Sequence, residues 1–323
     1  MCENLVGKKI LFIGTPFYGY EKQIKKNLEN NYSCFVTYFP DCPRNIFVRF
    51  LRNLSTNVYR KFVLLYHKYI LNKVDEIDFD YLFVIRGEDF SLDLDFVENL
   101  SNRVTKKILY EWDSIKNFDY TSFTRFFDKV ISFDMEDAKL NGYNYLPLFY
   151  SEECGCNFSS PKYDISFVGS YHDDRDIMLK KIKENAIKNN YTCKFYLYIP
   201  FFSYVKNFFK GKRIISPSFF KLSYKKTLKL IETSKAVVDL PHRDQIGATM
   251  RTFECLCNKK ILVTTNSYLK NESFFNNEDI KIINMDNVDE FDFSFLRNNT
   301  ERNESNFDYT NYSIKSWLKH VFC

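Results

Sequence analysis

The densest concentration of groups able to do chemistry follows a short apolar run, Ala236–Leu240, and reads Pro241-His242-Arg243-Asp244-Gln245-Ile246-Gly247-Ala248-Thr249-Met250-Arg251-Thr252-Phe253-Glu254. Gly247 and Thr249 stand just ahead of a helical pattern. A glycine there lets a ligand approach the backbone, and the free N–H groups and dipole of a helix start attract an anion such as a phosphate. Arg251 and Glu254 are three apart and share one helix face. The carboxylate, one turn deeper than a phosphate-accepting turn, can accept both hydroxyls of a ribose, or the two residues can form an ion pair on a solvated surface. His242 either touches a ligand or is a polar loop residue, and Arg243 adds a cation. A second place is Phe167-Val168-Gly169-Ser170, followed by Asp173, Asp174 and Arg175 at a helix start; Gly-Ser here serves a ligand or only the turn and cap.

These groups need a scaffold that brings strand ends together. In the first half, apolar runs of strand length at Lys9–Ile13, Cys34–Tyr38, Tyr81–Ile85, Lys107–Tyr110 and Val130–Ser132 alternate with helical patterns at Tyr20–Glu29, Leu92–Arg103 and Met135–Asn141. A second series runs through strands at Asp164–Val168, Thr192–Tyr198, Ala236–Leu240, Ile261–Thr264 and Ile280–Ile283. Its helices are expected at Arg175–Asn189, Tyr224–Ser234 and Ala248–Cys257. Such alternation predicts α/β architecture, with parallel sheets wrapped by helices. The length of 323 residues suits two domains, and only 9 Gly and 8 Pro argue against a turn-dense all-β fold. The loop around Pro147–Pro161 divides the chain into expected domains 1–155 and 156–305. Residues 306–323 follow, with Ile314, Trp317, Leu318 and Val321 at helical spacing for packing back.

In such sheets ligands sit beyond the carboxyl ends of strands. Asp113 follows one strand directly, and Glu88 and Asp89 follow another, so all three are candidates to accept a proton. Asp113 ranks first, with a helix N-cap over Ser114 and Ile115 as its other reading. Gly14, Thr15 and Gly19 form a strand-to-helix loop that borders an acceptor or serves only the tight turn. Thr264, Thr265 and Asn266 end a strand of the second series.

Gln245 through Glu254, and then Lys259-Lys260-Ile261-Leu262-Val263-Thr264-Thr265-Asn266, resemble bacterial GT-B glycosyltransferases of capsule, exopolysaccharide and lipopolysaccharide synthesis, related to the spore-maturation type. Supporting matches are Trp112-Asp113-Ser114, Phe127-Asp128-Lys129-Val130 and Phe167-Val168-Gly169-Ser170, and the resemblance spans about residues 80 to 285. It implies two Rossmann-like domains facing each other across a cleft, the first for the acceptor and the second for a nucleotide-sugar co-substrate, with no cofactor or metal. Carried over to this chain, Glu254 stands at the ribose, and the backbone of Gly247–Thr249 with Arg251 stands near the diphosphate. Arg243 and Arg175 add charge, while Gly169, Ser170, His242, Gln245, Thr265 and Asn266 complete the donor side. The acidic residue that retaining members often carry eight positions before this glutamate is Ile246 here, so retention lacks support. A nucleotide-sugar epimerase of the same fold shares the donor site without needing an acceptor.

Several classes are excluded or demoted. A balance of 46 Lys+Arg against 41 Asp+Glu leaves a net charge of +5, too little for a chain-wide basic coat, so any basic function is local. Two stretches carry it. One is Phe47, Leu51, Leu54, Val58, Phe62, Leu65 and Tyr69 at helical spacing with Arg49, Arg52 and Arg60 on the other side. The other is the aromatic-basic segment Phe201–Lys226. Both suit peripheral contact with an anionic membrane and a glycan or lipid-linked acceptor, and a helix simply covering its sheet reads equally well for the first. Single-strand nucleic-acid binding would use the same residues, but no recognised motif accompanies them and no nucleic-acid partner is expected. The nine cysteines, odd in number and without a leader-like segment ahead of them, are expected as free thiols in the cytoplasm, at most at the inner membrane face. Cys154/Cys156 and Cys255/Cys257 are spaced too tightly for an ordinary zinc pair.

Overall fold

The computed structural model describes residues 5–43, 55–86, 92–155, 160–242, 245–284, 286–297 and 308–323. The chain forms two compact units. One is Met1–Leu148 with Asp244–Gly247 and Tyr312–Cys323; the other is Phe149–Arg243 with Ala248–Asn311. The first crossing between them is therefore at 148/149, and the chain returns to the first unit twice.

In the first unit the described elements are β1 (Lys9–Gly14), α1 (Tyr20–Tyr32), β2 (Phe35–Pro40), α2 (Thr56–Val74), β3 (Tyr81–Arg86), α3 (Leu94–Ser101), β4 (Lys106–Glu111), α4 (Thr121–Thr124), β5 (Lys129–Ser132), α5 (Met135–Asn141) and β6 (Asn144–Tyr145). The strands pair in the order β2-β1-β3-β4-β5-β6, all in parallel. β3 is buried at all six positions, as a central parallel strand covered on both faces must be. The core beneath the helices includes Leu11, Ile13, Leu82, Val84, Phe96 and Leu109.

α2 corrects an expectation. Its buried residues are Tyr59, Val63, His67, Ile70 and Val74, whereas Val58, Phe62, Leu65 and Tyr69 of the expected stripe are 41%, 38%, 64% and 50% exposed. The helix carries apolar residues on two neighbouring faces, and periodicity alone picked the outer one. His67 explains the inner choice, because its ring stacks on Phe96 at 3.9 Å and its Nε2 lies 3.1 Å from the Asp41 carbonyl oxygen. Phe47, Arg49, Leu51, Arg52 and Leu54 lie outside the described residues.

The second unit contains β7 (Tyr163–Ser170), α6 (Asp173–Lys188), β8 (Cys193–Tyr198), α7 (Phe201–Phe209), β9 (Pro217–Ser218), α8 (Tyr224–Glu232), β10 (Ser234–Asp239), α9 (Met250–Cys257), β11 (Ile261–Thr264) and β12 (Ile280–Ile282). Its order is β12-β11-β10-β7-β8-β9, again all parallel. Strand succession reverses between β7 and β10, so the loops beyond their carboxyl ends open apart and leave the crevice where doubly wound sheets bind ligands. β6, α4, β9 and α7 carry no clear signal in the sequence. The two strands are only two residues long, and α7 lies in a segment read only as aromatic and basic.

The last helix, α10 (Ile314–Phe322), buries Ile314, Trp317, Leu318 and Val321 in the first unit. Trp317 meets Tyr110 edge-on at 4.8 Å, and Lys129 Nζ donates to the His320 and Val321 carbonyls at 2.8 and 2.9 Å. A cation on the last carbonyls of a helix satisfies acceptors that have no partner within it. Cys34, Cys42, Cys154, Cys193, Cys255 and Cys257 are free thiols, but Cys323 is disulfide-bonded, which corrects the expectation of free thiols throughout. Among the described residues no helix is long and apolar enough to cross a membrane.

Candidate functional site

In the second unit the site starts from β10. Its apolar run ends in Asp239, whose Oδ2 accepts a 2.6 Å hydrogen bond from Thr249 Oγ1. Burial raises the Asp239 carboxyl above its ordinary value, opposed by the Thr249 hydroxyl and by the charges of Arg251 and Arg175. Thr249 is the N-cap of α9, and its side chain also accepts from Thr252 N–H. One threonine thus joins the strand end to the helix start. Asp239 was not singled out in the sequence; the signal available was a carboxylate closing the run Ala-Val-Val before Leu240.

One turn into α9, Arg251 Nη1 donates to Glu254 Oε2 at 2.6 Å. The side chains are 17% and 1% exposed, so the pair is not a solvated surface bridge. Its carboxylate is packed within the unit near Tyr224 and Cys154. The Glu254 charge helps to raise both of those groups: for Tyr224 burial acts first, and for Cys154 the Cys257 thiol and burial act first. Tyr224 Oη lies 2.6 Å from Ser151 Oγ, and Gly155 N–H donates to Asn258 Oδ1 at 3.1 Å. The segment just before β7 therefore walls Glu254 on one side. The Cys-x-Cys pairs do structural work, with Cys255 Sγ donating to the Lys260 carbonyl at 3.3 Å and Cys257 beside Cys154.

Arg175 does something other than await a phosphate. Its Nη1 donates to the Ser170 carbonyl at 2.6 Å, and Nε and Nη2 donate to the Leu240 carbonyl at 3.0 and 2.6 Å. It clamps the ends of β7 and β10 at the point of strand reversal and leaves its charge there. Gly169 is required by packing, since a Cβ would lie 2.6 Å from the Phe167 ring. His242 is exposed just past β10, and Arg243 lies outside the described residues. Thr264 and Asn266 are buried and Thr265 half-buried at the end of β11. Asn266 Oδ1 accepts from Tyr268 N–H at 3.1 Å, a local turn.

Gly247 departs from the expected phosphate turn. It groups with the first unit, its N–H donates to Asp134 Oδ2 at 3.3 Å, and a Cβ would stand 2.5 Å from the Phe133 ring and 2.9 Å from the Phe133 carbonyl oxygen. Gln245 Nε2 donates to the Gly247 carbonyl at 3.2 Å and supports the same turn. Gly247→Ala is expected to lower the melting temperature by several degrees, because overpacking against backbone costs roughly 1–3 kcal/mol. Unchanged melting with loss of nucleotide binding would instead return Gly247 to the phosphate.

At the carboxyl end of the first sheet, β3 and β4 end side by side with Arg86 opposite Glu111. Glu111 is 0% exposed, and neither carboxyl oxygen has a hydrogen-bond partner among the described residues. Burial pushes its carboxyl up to about 8, with Arg86 pulling down and Asp113 and Asp137 pushing further up. The Arg86 guanidinium lies 3.8 Å over the Phe123 ring and 4.6 Å over Phe118. Sequence reading missed Glu111 because it completes a strand whose other residues are apolar or solvent-edge lysines. Asp113 is half-buried; its Oδ1 accepts from Ser114 N–H at 3.0 Å and Asn117 Nδ2 at 2.8 Å, the turn-capping alternative to a base. Glu88 and Asp89 lie outside the described residues.

The Gly14–Gly19 loop divides its labour. Gly14 approaches the Phe12 ring too closely for a side chain, and its carbonyl accepts from Tyr38 Oη at 2.9 Å. Thr15 is buried and donates to Asp41 Oδ2 at 2.7 Å. Gly19 takes φ 88° at the start of α1, a left-handed backbone with open space around it. What the loop offers to solvent is aromatic: Phe17 and Tyr18 are 41% and 38% exposed, and Phe17 packs 5.7 Å from half-buried Trp112 beyond β4. Phe17 and Tyr18 follow β1 and were not singled out in the sequence, while Trp112 follows β4 and was named there only within the Trp112-Asp113-Ser114 match.

No family model and no curated protein sequence matches the chain. Solved structures do. An alpha-glucosyltransferase (AGT) in complex with UDP aligns over 98% of this chain and 94% of its own, with a TM-score of 0.58 and 11% identity. An alpha-glucosyltransferase in complex with UDP and a 13-mer DNA gives 0.57 at 11% identity, over 98% and 96%. An E. coli structure described as trehalose-6-phosphate bound with UDP-2-fluoro glucose gives 0.57 at 10% identity, over 97% and 94%. The lipopolysaccharide outer core galactosyltransferase WaaB in its apo form gives 0.51 at 11%, over 97% and 95%. At such identities the likeness establishes the fold: two Rossmann-like units of the GT-B class.

Proposed function

We propose that this chain is a metal-independent glycosyltransferase that moves a sugar from a nucleotide-sugar donor to a glycan or lipid-linked acceptor in bacterial surface-polysaccharide assembly. The observation that carries the reading is the Arg251–Glu254 pair, buried one turn inside the helix that follows β10 at the strand reversal of the second unit. UDP and UDP-2-fluoro glucose are held by neighbours of the same fold, which supports a nucleotide sugar as the ligand of this place. In this reading Glu254 accepts the ribose hydroxyls. Arg251, the more exposed of the two, turns to the diphosphate together with the positive end of α9. Arg175 clamps the two strand ends and adds field. Thr265 and His242 border the donor sugar.

Departure of the diphosphate builds negative charge that Arg251 and the helix start neutralise, and the acceptor hydroxyl gives up a proton to a carboxylate. Asp113 is the base in this proposal, its orientation set by Ser114 N–H and Asn117. Phe17, Tyr18 and Trp112 offer flat apolar surface for a sugar ring of the acceptor.

A thermal-shift panel of nucleoside diphosphates and their sugar nucleotides tests the donor half. One base is expected to stabilise strongly, since a ligand at a hundred times its Kd adds about 2.7 kcal/mol. Release of free nucleoside diphosphate only on adding a glycan acceptor supports transfer; isomerised donor without acceptor means an epimerase; sugar on an added oligonucleotide means that the acceptor class is wrong. No stabilisation by any member would remove the donor site.

A further inference from the structure

We propose that α7 and the neighbouring 219–221 segment form a monotopic membrane-docking surface that inserts phenylalanine rings into an anionic phospholipid interface. The helix buries none of its residues. Phe201, Phe202, Phe208 and Phe209 are 56%, 86%, 60% and 83% exposed, and Phe220 is 80% exposed. Positions 201, 202, 205, 208 and 209 fall on one face of a helix, so the rings form a single apolar edge rather than scattered exposures.

The surface is held in shape. Phe219 meets Phe201 at 5.4 Å and Tyr204 at 5.2 Å, and Tyr196 Oη donates to the Phe220 carbonyl at 2.8 Å. The 219–221 segment directly follows the edge strand β9. Ring contacts among exposed residues leave the outer rings facing solvent while the helix stays anchored.

Charge identifies what covers it. Residues 193–231 contain nine Lys or Arg and no Asp or Glu, more positive charge than the whole chain's net +5. Lys206, Lys210, Arg213 and Lys221 are exposed around the rings, and Lys212 is paired with Asp173. A protein-binding surface of this apolar character is poor in lysine at its centre. Phenylalanine interleaved with lysine on a short amphipathic helix is the composition that lies in the headgroup region of anionic bilayers. Nine residues are far too few to span one.

None of the substituted residues is among those assigned to the donor site, so the test separates from that reading. The full chain is co-sedimented with phosphatidylcholine vesicles and with vesicles in which about a third of the lipid is phosphatidylglycerol, each near cation being worth roughly a factor of five in anionic binding. Binding at least tenfold tighter to the anionic vesicles, weakened by salt, is expected. Phe202→Ser with Phe209→Ser, and separately Lys210→Glu with Lys221→Glu, should each lower it at least tenfold while melting temperature and nucleotide stabilisation stay at the parent's values. Four outcomes overturn the proposal. The parent shows no preference for anionic vesicles, or the serine pair leaves binding unchanged. Binding falls instead on substituting Phe62 and Leu65 of α2, or the serine pair abolishes a concentration-dependent dimer in a chain that ignores vesicles.

Discussion

Glu254→Gln lowers affinity for the sugar nucleotide by about a hundredfold or more while the chain remains folded. The substitution keeps the shape of a side chain that is 1% exposed, so no cavity opens. Under the proposed function, what disappears is a charged acceptor for two ribose hydroxyls, and hydrogen bonds to a charged group are worth roughly 1.5–3 kcal/mol each. The structural cost is separate. Removing one partner of a fully buried ion pair costs about 3–5 kcal/mol, but here the guanidinium is 17% exposed and Asp239 lies near it, so a smaller loss is expected. Titration calorimetry on parent and variant reads the affinity, and melting reads the fold. A variant that melts lower but binds nucleotide as tightly as the parent would make the pair purely structural and remove the ribose role.

Glu111→Gln stabilises the chain at neutral and alkaline pH and has little effect near pH 4. The carboxyl has an ordinary value of 4.5 and is pushed up to about 8 by burial. In that window the unfolded chain has already lost the proton that the folded chain still holds. Folding must take the proton up, so the parent's stability falls as pH rises from 4.5 to 8 and levels off above. Glutamine, which mimics the protonated side chain, has no such slope. The gap between variant and parent should grow across the window and reach about 3 kcal/mol at pH 7, at 1.36 kcal/mol per unit. Urea melts at pH 4, 7 and 9 measure it. A constant gap, or a parent that gains stability on going from pH 4 to pH 8 relative to the variant, would show that Glu111 is ionised and paired with Arg86 throughout.

Both predictions concern residues of similar burial, yet only one was readable beforehand. Glu254 announced itself by standing three residues from Arg251 in a helix that follows a strand, a local pattern. Glu111 was hidden because its environment is made by Arg86 across the register from β3 and by Asp113 and Asp137, and a lone carboxylate at a strand end carries no mark of what will pack around it. The same limit explains α2. Apolar residues occur on adjoining faces, and choosing between Val58/Phe62/Leu65 and Tyr59/Val63/Ile70 takes the stacking of His67 on Phe96. Arg175 and Gly247 were assigned to phosphate because their positions at turns suit that duty. The Ser170 carbonyl that Arg175 meets is only five residues away, but the Leu240 carbonyl and the Phe133 ring come from distant parts of the chain.

The sequence by itself determined the α/β class, the strands β1 to β5, β7, β8 and β10 to β12 to within a few residues, and the helix start that carries Arg251 and Glu254. Those follow from alternation, glycine and capping residues, which act over a few neighbours and therefore leave a local trace. Only the tertiary structure decided the strand order with its reversal between β7 and β10, the return of Asp244–Gly247 and Tyr312–Cys323 to the first unit, and which charges are buried together. Sheet order and desolvation depend on groups far apart along the chain, and no spacing within one segment encodes them.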